Sequence, residues 1–331
     1  MKLIRTFVFI LLFAAVAAIY VYQARLAKQI LTNAPDEVNR DVVLTPEDSV
    51  EGIELKDHSQ KTQVTLRKNK GGWELERPVR YPAENGIVEG FAIAAKMASK
   101  QPRLQAEKDW EEYGLADPEF EVIFSVQGKK DATLLVGTQA PVGKAVFARW
   151  KEERGYFLLP PEMKAMFRQS VYGLREKRVF RLPPETLRKV YIEMGERAYQ
   201  WKEDAGEWHW FEPVSEFGQK MPLEKMNRVL AALQNLHIRE FRDNNKQSKA
   251  ELGFFMIHDR IELDAEGGEK ERFYFGNEIP DENAYYGLRE GEETVFLVDR
   301  QKVIEIFDLL RALQRDQGIP LAEKQPPSET P

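Results

Sequence analysis

Four histidines, His58, His209, His237 and His258, are the residues here best suited to hold a metal, yet they share no metal-ligand spacing. A zinc site wants at least three convergent ligands, as in a His-Glu-x-x-His helix, and no such cluster occurs. His237 adjoins an apolar helical stripe and reads as a helix-edge side chain. Residues 137–144, GTQAPVGK, have the outline of a phosphate-binding loop, but five residues rather than four separate the glycines. Ala145 also stands where magnesium needs a hydroxyl. A strand-to-strand loop turning at Pro141-Val142-Gly143 fits those residues better. Neither G-x-G-x-x-G nor G-x-S-x-G is present.

Paired carboxylates could do general acid–base work, and acidic clusters occur at Glu107, Asp109, Glu111 and Glu112, at Asp281 and Glu282, and at Glu290, Glu292 and Glu293. They lie among lysines and arginines near turn signals, which makes them solvated loop tips. The remaining candidates are indoles. Trp73 and Trp208 recur at one repeat position, which favours packing, since a hairpin indole beside a helix buries much apolar area. With Trp150 and Trp210 they are the residues to which ligand or partner stacking would fall. No catalytic, cofactor-binding or metal-binding set emerges.

The elements that hold these residues are organised by an internal repeat. Leu44-Thr45-Pro46-Glu47 matches Leu182-Pro183-Pro184-Glu185. Gly72-Trp73-Glu74 with Pro78 matches Glu207-Trp208-His209 with Pro213. After a short insertion a second constant offset holds. Tyr113-Gly114-Leu115 falls on Leu252-Gly253-Phe254, Leu134-Leu135-Val136-Gly137 on Phe273-Tyr274-Phe275-Gly276, and Tyr156-Phe157-Leu158-Leu159 on Val295-Phe296-Leu297-Val298.

Each copy opens with a strand and hairpin, at 53–55, 64–67 and 73–76 and then at 190–193, 199–202 and 208–211, with Gly or Asp-Ala-Gly turns. A helix follows. Ile87, Phe91, Ala94 and Met97 recur at helical spacing, as do Met226, Leu230, Leu233 and Leu236. Four period-two strands come next, at 120–126, 132–136, 145–150 and 155–159, then at 259–263, 272–275, 284–288 and 294–298. A helix closes each copy, through Met163, Met166 and Phe167 and through Val303, Phe307 and Leu310. The predicted class is α+β: an N-terminal transmembrane helix, then two tandem repeats, each an antiparallel sheet with packed helices.

The anchor rests on residues 7–22, an uninterrupted apolar run after Lys2 and Arg5. With its flank it approaches the roughly 20 residues that span about 30 Å of hydrocarbon. Tyr20 and Tyr22 suit an interface, and Arg25 and Lys28 end the stretch. Ala15-Val16-Ala17 offers a signal-cleavage alternative, but the apolar run continues past it. The layout expected is an anchor at 1–24, a stalk at 25–43, repeats at 44–181 and 182–316, and a proline-rich polar tail at 317–331. The N-terminus would lie inside and the bulk would be extracytoplasmic or periplasmic.

Hydrophobic residues make up 43% of the 331 and charged residues 31%, which suits folded cores. The net charge of -6, from interspersed acids and bases, argues against nucleic acid. Without cysteine there is no disulfide, thiolate nucleophile or lipoprotein anchor.

The run Gly72-Trp73-Glu74-Leu75 with Pro78 and Pro82-Ala83, then Tyr113-Gly114-Leu115-Ala116-Asp117-Pro118 and Leu135-Val136-Gly137, resembles the DUF4340 family. Phe147-Ala148-Arg149 stands at that family's closing aromatic-and-arginine element. The second copy departs from the pattern: Leu252 replaces the tyrosine and Leu288 the arginine. The resemblance covers about 53–180 and, more weakly, its repeat to about 313. It implies a membrane-anchored extracytoplasmic protein, with some relatives found beside ABC-type components of the gliding-motility kind, and it supplies no catalytic residues.

The function expected is a non-enzymatic, membrane-tethered scaffold or accessory subunit of an envelope transport or assembly complex, with no cofactor. Its rivals are an envelope module binding lipid, glycan or peptide in a groove between repeats, and a hydrolase with an inconspicuous acidic site.

Overall fold

The computed structural model describes residues 43–316, apart from 142, 196, 214–215 and 255–258. The expected anchor, nearly all of the stalk, the tail and His258 lie outside the described residues. No helix among the described residues is long and apolar enough to cross a membrane. The chain forms two compact units, one ending at Glu176 and the other beginning at Lys177.

The first unit runs β1 (Val50–Asp57), β2 (Thr62–Asn69), β3 (Gly72–Arg77), β4 (Tyr81–Pro82), α1 (Asn85–Ser99), β5 (Phe120–Val126), β6 (Ala132–Gln139), β7 (Val146–Trp150), β8 (Phe157–Leu159), α2 (Pro161–Phe167) and α3 (Val171–Leu174). Its strands make one antiparallel sheet in the order β4-β3-β2-β1-β5-β6-β7-β8. Alternation decides which face is buried. Phe120, Val122, Phe124 and Val126 point into the core while Glu121, Ile123 and Ser125 point out. Helix α1 lies on the core face, burying Val88, Phe91, Ala94, Ala95 and Ala98 against Leu55, Phe124, Val136 and Trp150. Met97, expected on that stripe, is 53% exposed, because the alanines set the buried face about one residue round the helix. On the sheet's other face Glu121 pairs with Lys56 at 3.5 Å and Lys151 at 3.2 Å.

The second unit runs β9 (Leu187–Met194), β10 (Arg197–Asp204), β11 (Glu207–Glu212), β12 (Lys220–Met221), α4 (Leu223–Gln234), β13 (Ile238–Arg242), β14 (Arg260–Ala265), β15 (Lys270–Ile279), β16 (Ala284–Arg289), β17 (Val295–Asp299) and α5 (Arg300–Asp316). Its antiparallel order is β12-β11-β10-β9-β14-β15-β16-β17-β13. Position for position this is the path of the first sheet with one strand added at the end. Tyr199, Trp201 and Trp210 are buried on one side of the β10–β11 hairpin, the last two with ring centroids 4.8 Å apart. Helix α4 buries Met226, Val229, Leu230 and Leu233 and packs beside α5.

The extra strand β13 was not expected from the sequence. It pairs Ile238 with Val298 and Glu240 with Leu297, so Leu297 is fully buried. In the first unit Pro102 follows α1 at the matching place. A proline cannot donate to a ladder, and the chain there makes a single bridge, Leu104 to Tyr156, before leaving the edge. β8 therefore ends its sheet, and Leu158, counterpart of Leu297, is 37% exposed.

Candidate functional site

The four indoles named from sequence are packed inside their units. Trp73 donates its Nε1 to Glu89 at 2.8 Å, and its backbone N–H donates to the Asn85 side chain at 2.7 Å. It fastens the β2–β3 hairpin to α1. Trp150 is buried edge-on to Phe124, with centroids 6.3 Å apart. Trp208 and Trp210 stand on the same face of β11, both buried. Trp73 and Trp150 share the first unit's core.

Four acids of these clusters are paired with cations. Lys108 bonds Glu112 at 2.6 Å, Arg242 bonds Glu282 at 3.1 Å, Arg272 bonds Glu290 at 2.8 Å and Arg289 bonds Glu292 at 2.7 Å. On the second sheet a continuous chain of alternating charge runs Glu193–Arg260–Glu262–Arg272–Glu290. Tyr191 donates to Glu193 at 2.9 Å; burial first, then that carboxylate, push its phenol well above the ordinary tyrosine range. His237 lies just past α4, exposed, with Nδ1 2.8 Å from the Asn235 carbonyl. Among the described residues no group of His, Asp or Glu is arranged to hold a metal ion.

A different set converges on the first sheet's outward face. The loop after α1 folds back on itself, with the N–H of Leu115 donating to the Trp110 carbonyl at 2.8 Å. It then docks on β6. The Tyr113 carbonyl accepts from the Thr138 N–H at 3.1 Å and from the Thr138 hydroxyl at 3.0 Å. This lays the Tyr113 ring against Phe147, edge-on at 5.0 Å, and against Tyr156 at 4.7 Å. Trp110 is 6.0 Å from Tyr113. Phe147 and Arg149 alternate outward along β7 while Val146, Ala148 and Trp150 face the core. The Arg149 guanidinium lies over the Trp110 ring at 4.4 Å. Burial also raises the Tyr156 phenol, together with its neighbours Tyr113 and Glu107.

Arg149 has no carboxylate within ion-pair distance among the described residues. Its Nη1 donates to two neutral carbonyls, those of Lys151 at 3.4 Å and Glu153 at 3.3 Å, and its Nε is buried with no acceptor among the described residues. Burial lowers its proton affinity, opposed by the charge of Glu152. A guanidinium half out of water, stacked on an indole and lacking a carboxylate among the described residues, is a ready donor for an anion.

The second unit has a corresponding small cluster with other side chains. Leu252 docks as Tyr113 does, its carbonyl accepting from the Asn277 N–H at 2.8 Å. The cluster is Leu252, Phe254, Leu288 and Val295, with Tyr274 and Tyr286 alongside. The first unit has Tyr113, Leu115 and Leu135 with Ala106, Trp110, Phe147 and Tyr156. The ladders fix the correspondence: Leu135 pairs with Arg149 as Tyr274 pairs with Leu288. The sequence flagged Phe147 and Arg149 only through a family pattern. Trp110 carried no periodic signal, and Tyr156 fell in the strand expected at 155–159 with nothing to mark it for a site.

These features define an α+β protein of two antiparallel-sheet units, one bearing an aromatic–arginine cluster. The family model described as a domain of unknown function, DUF4340, matches residues 73–254, which is more than half the chain and reaches into both units. The chain belongs to the DUF4340 family. Neither the curated proteins nor the solved structures yield a match.

Proposed function

We propose that this DUF4340 protein is a non-enzymatic, membrane-tethered scaffold or accessory subunit of an envelope transport or assembly complex. The apolar run at 7–22 would hold it in the membrane, N-terminus inside, and two tandem copies of one sheet-and-helix plan would stand on the extracytoplasmic side. Partners of the ABC-transporter type are the first class to look for.

One observation carries the reading. The two sheets follow one path, yet where the second unit's cluster holds buried Leu288 and Val295 the first holds half-buried Arg149 and Tyr156, with Trp110 beside them. Tryptophan, tyrosine and arginine are the side chains that dominate binding hot spots. A half-buried arginine and tyrosine in one copy where the other has buried leucine and valine is what a duplicated module acquires when one copy takes a partner.

The experiment is affinity purification of the full chain from gently solubilised membranes. Stable recovery with integral-membrane transport or assembly components is expected. Recovery of the chain alone, or its presence only in the soluble fraction, would contradict the proposal.

A further inference from the structure

We infer that the outward face of α1 rests on an anionic lipid surface, with Ile93 and Met97 entering it and Lys96 and Lys100 at its headgroups. This rests on the reading of residues 7–22 as a membrane anchor and adds where the first unit meets the bilayer.

The two helices, compared, supply the first part. Aligned on their buried sides, Val88, Phe91, Ala92 and Ala95 of α1 answer to Met226, Val229, Leu230 and Leu233 of α4. The outward positions then correspond as well. Gly86 and Gly90 fall on Glu224 and Arg228, which form an ion pair at 2.6 Å, and Ile93 and Met97 fall on Ala231 and Asn235. α4 thus shows water the polar face usual for a surface helix. On α1 the same four positions carry no charge, and Ile93 and Met97, one turn apart, are 57% and 53% exposed. The fold accepts alanine and asparagine at those two places, so packing within the unit does not account for the larger residues.

The flanks and the tether point to what covers them. Lys100 is exposed one turn beyond Met97, and Lys96 donates to the Pro46 carbonyl at 2.9 Å. An apolar strip edged by lysines is the pattern of helices that lie in a bilayer interface, and each lysine there is drawn to anionic headgroups. The chain enters the first unit at this same end of α1. The Leu44 N–H donates to the Ser99 hydroxyl at 3.1 Å, and Val43 packs on the core. Only residues 23–42 separate that point from the apolar run, so at about 3.6 Å per residue the two lie at most roughly 70 Å apart. A patch tethered in this way needs little affinity of its own, because the contact is intramolecular. A protein partner or a second copy would need about 800 Å² from each side, which two half-exposed side chains do not approach. A bilayer takes a small apolar patch without a matching shape.

The chain has no cysteine, so a single thiol can be placed and labelled. Met97→Cys and, separately, Asn235→Cys in the full chain would each carry an environment-sensitive fluorophore. The labelled chains are reconstituted in vesicles of equal parts phosphatidylcholine and phosphatidylglycerol, with bromine on the acyl chains as quencher. Quenching should be at least about threefold stronger from position 97 than from 235, since only an apolar face sinks to the acyl boundary. It should fall by half or more in vesicles of phosphatidylcholine alone. The same loss is expected from Lys96→Glu with Lys100→Glu, and from Ile93→Ser, whose side chain lies outside the core.

Equal quenching from both positions, or quenching at 97 indifferent to phosphatidylglycerol and to the lysines, would overturn the inference. So would emission from 97 that follows the ratio of protein to lipid but ignores bromination, the mark of a second copy on this face. Chains that float with the vesicles yet leave position 97 in water would remove the lipid contact and keep the anchor. Chains that do not float would remove both.

Discussion

The backbone N–H of Thr138 donates to the carbonyl of Tyr113 at 3.1 Å, and Asn277 repeats the bond to Leu252 at 2.8 Å. Both bonds run across a glycine that has no room for a side chain. A Cβ on Gly137 would lie 2.4 Å from the Tyr113 oxygen, and one on Gly276 2.2 Å from the Leu252 oxygen. The obstacle is backbone in both cases, so it cannot swing aside. Gly137→Ala and Gly276→Ala should each lower stability by about 3 kcal/mol, the upper part of the range for overpacking. Equilibrium denaturation checks this. Gly137→Ala should also displace Tyr113, which near-ultraviolet circular dichroism would register.

Trp73 ties a hairpin to a helix through one polar contact as well as its ring. Trp73→Phe keeps most of the apolar area and loses the bond to Glu89. It should cost about 1 to 2 kcal/mol, whereas Trp73→Ala should cost about 3 to 5 kcal/mol. Thermal and denaturant unfolding of the two variants would test the ordering.

Acid should weaken the fold through carboxylates held below their ordinary range. Hydrogen bonds from Lys129 and the Thr45 backbone outweigh burial at Asp48. At Glu121 and Glu89 burial acts upward, but the hydrogen bonds and charges of Lys151 and Lys56, and of Lys68 with Trp73, prevail. A depressed folded-state value gives stability that is full above the unfolded-state value and lost as pH falls through the folded one. Denaturation midpoints should therefore stay level from about pH 5 to 8 and fall below about pH 4. Burial and neighbouring glutamates raise the phenols of Tyr191, Tyr274 and Tyr285, which gives the opposite sign: stability present below about pH 10 and lost above it.

Hydrogen exchange should distinguish the two sheet edges. The Leu297 position lies between β16 and β13, whereas Leu158 has β7 on one side and no paired strand on the other among the described residues. The Leu158 amide should exchange at least about tenfold faster than the Leu297 amide, because no strand must open to release it. Equal protection would mean that the first edge is covered.

Much of this architecture is legible in the sequence because duplication makes weak local signals count twice. The hairpin at Trp73 and its match at Trp208, the glycines after Val136 and Phe275, and the turn at residues 204–206 all fall where the strands require. What the sequence hides are features decided by tertiary competition. Met97 keeps helical spacing yet faces out, because a row of alanines allows α1 to sit closer on another side. β13, Ile-Arg-Glu-Phe-Arg, lacks a clean alternation and becomes a strand because the edge of β17 offers it a ladder. The cluster around Arg149 is hidden for a further reason: its members come from a loop, a strand and a turn, and only docking of Tyr113 onto β6 brings them together.

The central question is whether the first unit's Arg149 cluster meets a partner that the second unit's counterpart does not. A photo-reactive phenylalanine analogue placed at Phe147 in the full chain, and separately at its counterpart Tyr286, can be activated in intact cells. Crosslinking to an envelope protein should occur from position 147, should be absent from position 286, and should disappear when Arg149→Leu is added. Identical products from both positions, or products from 147 that are indifferent to Arg149, would contradict it.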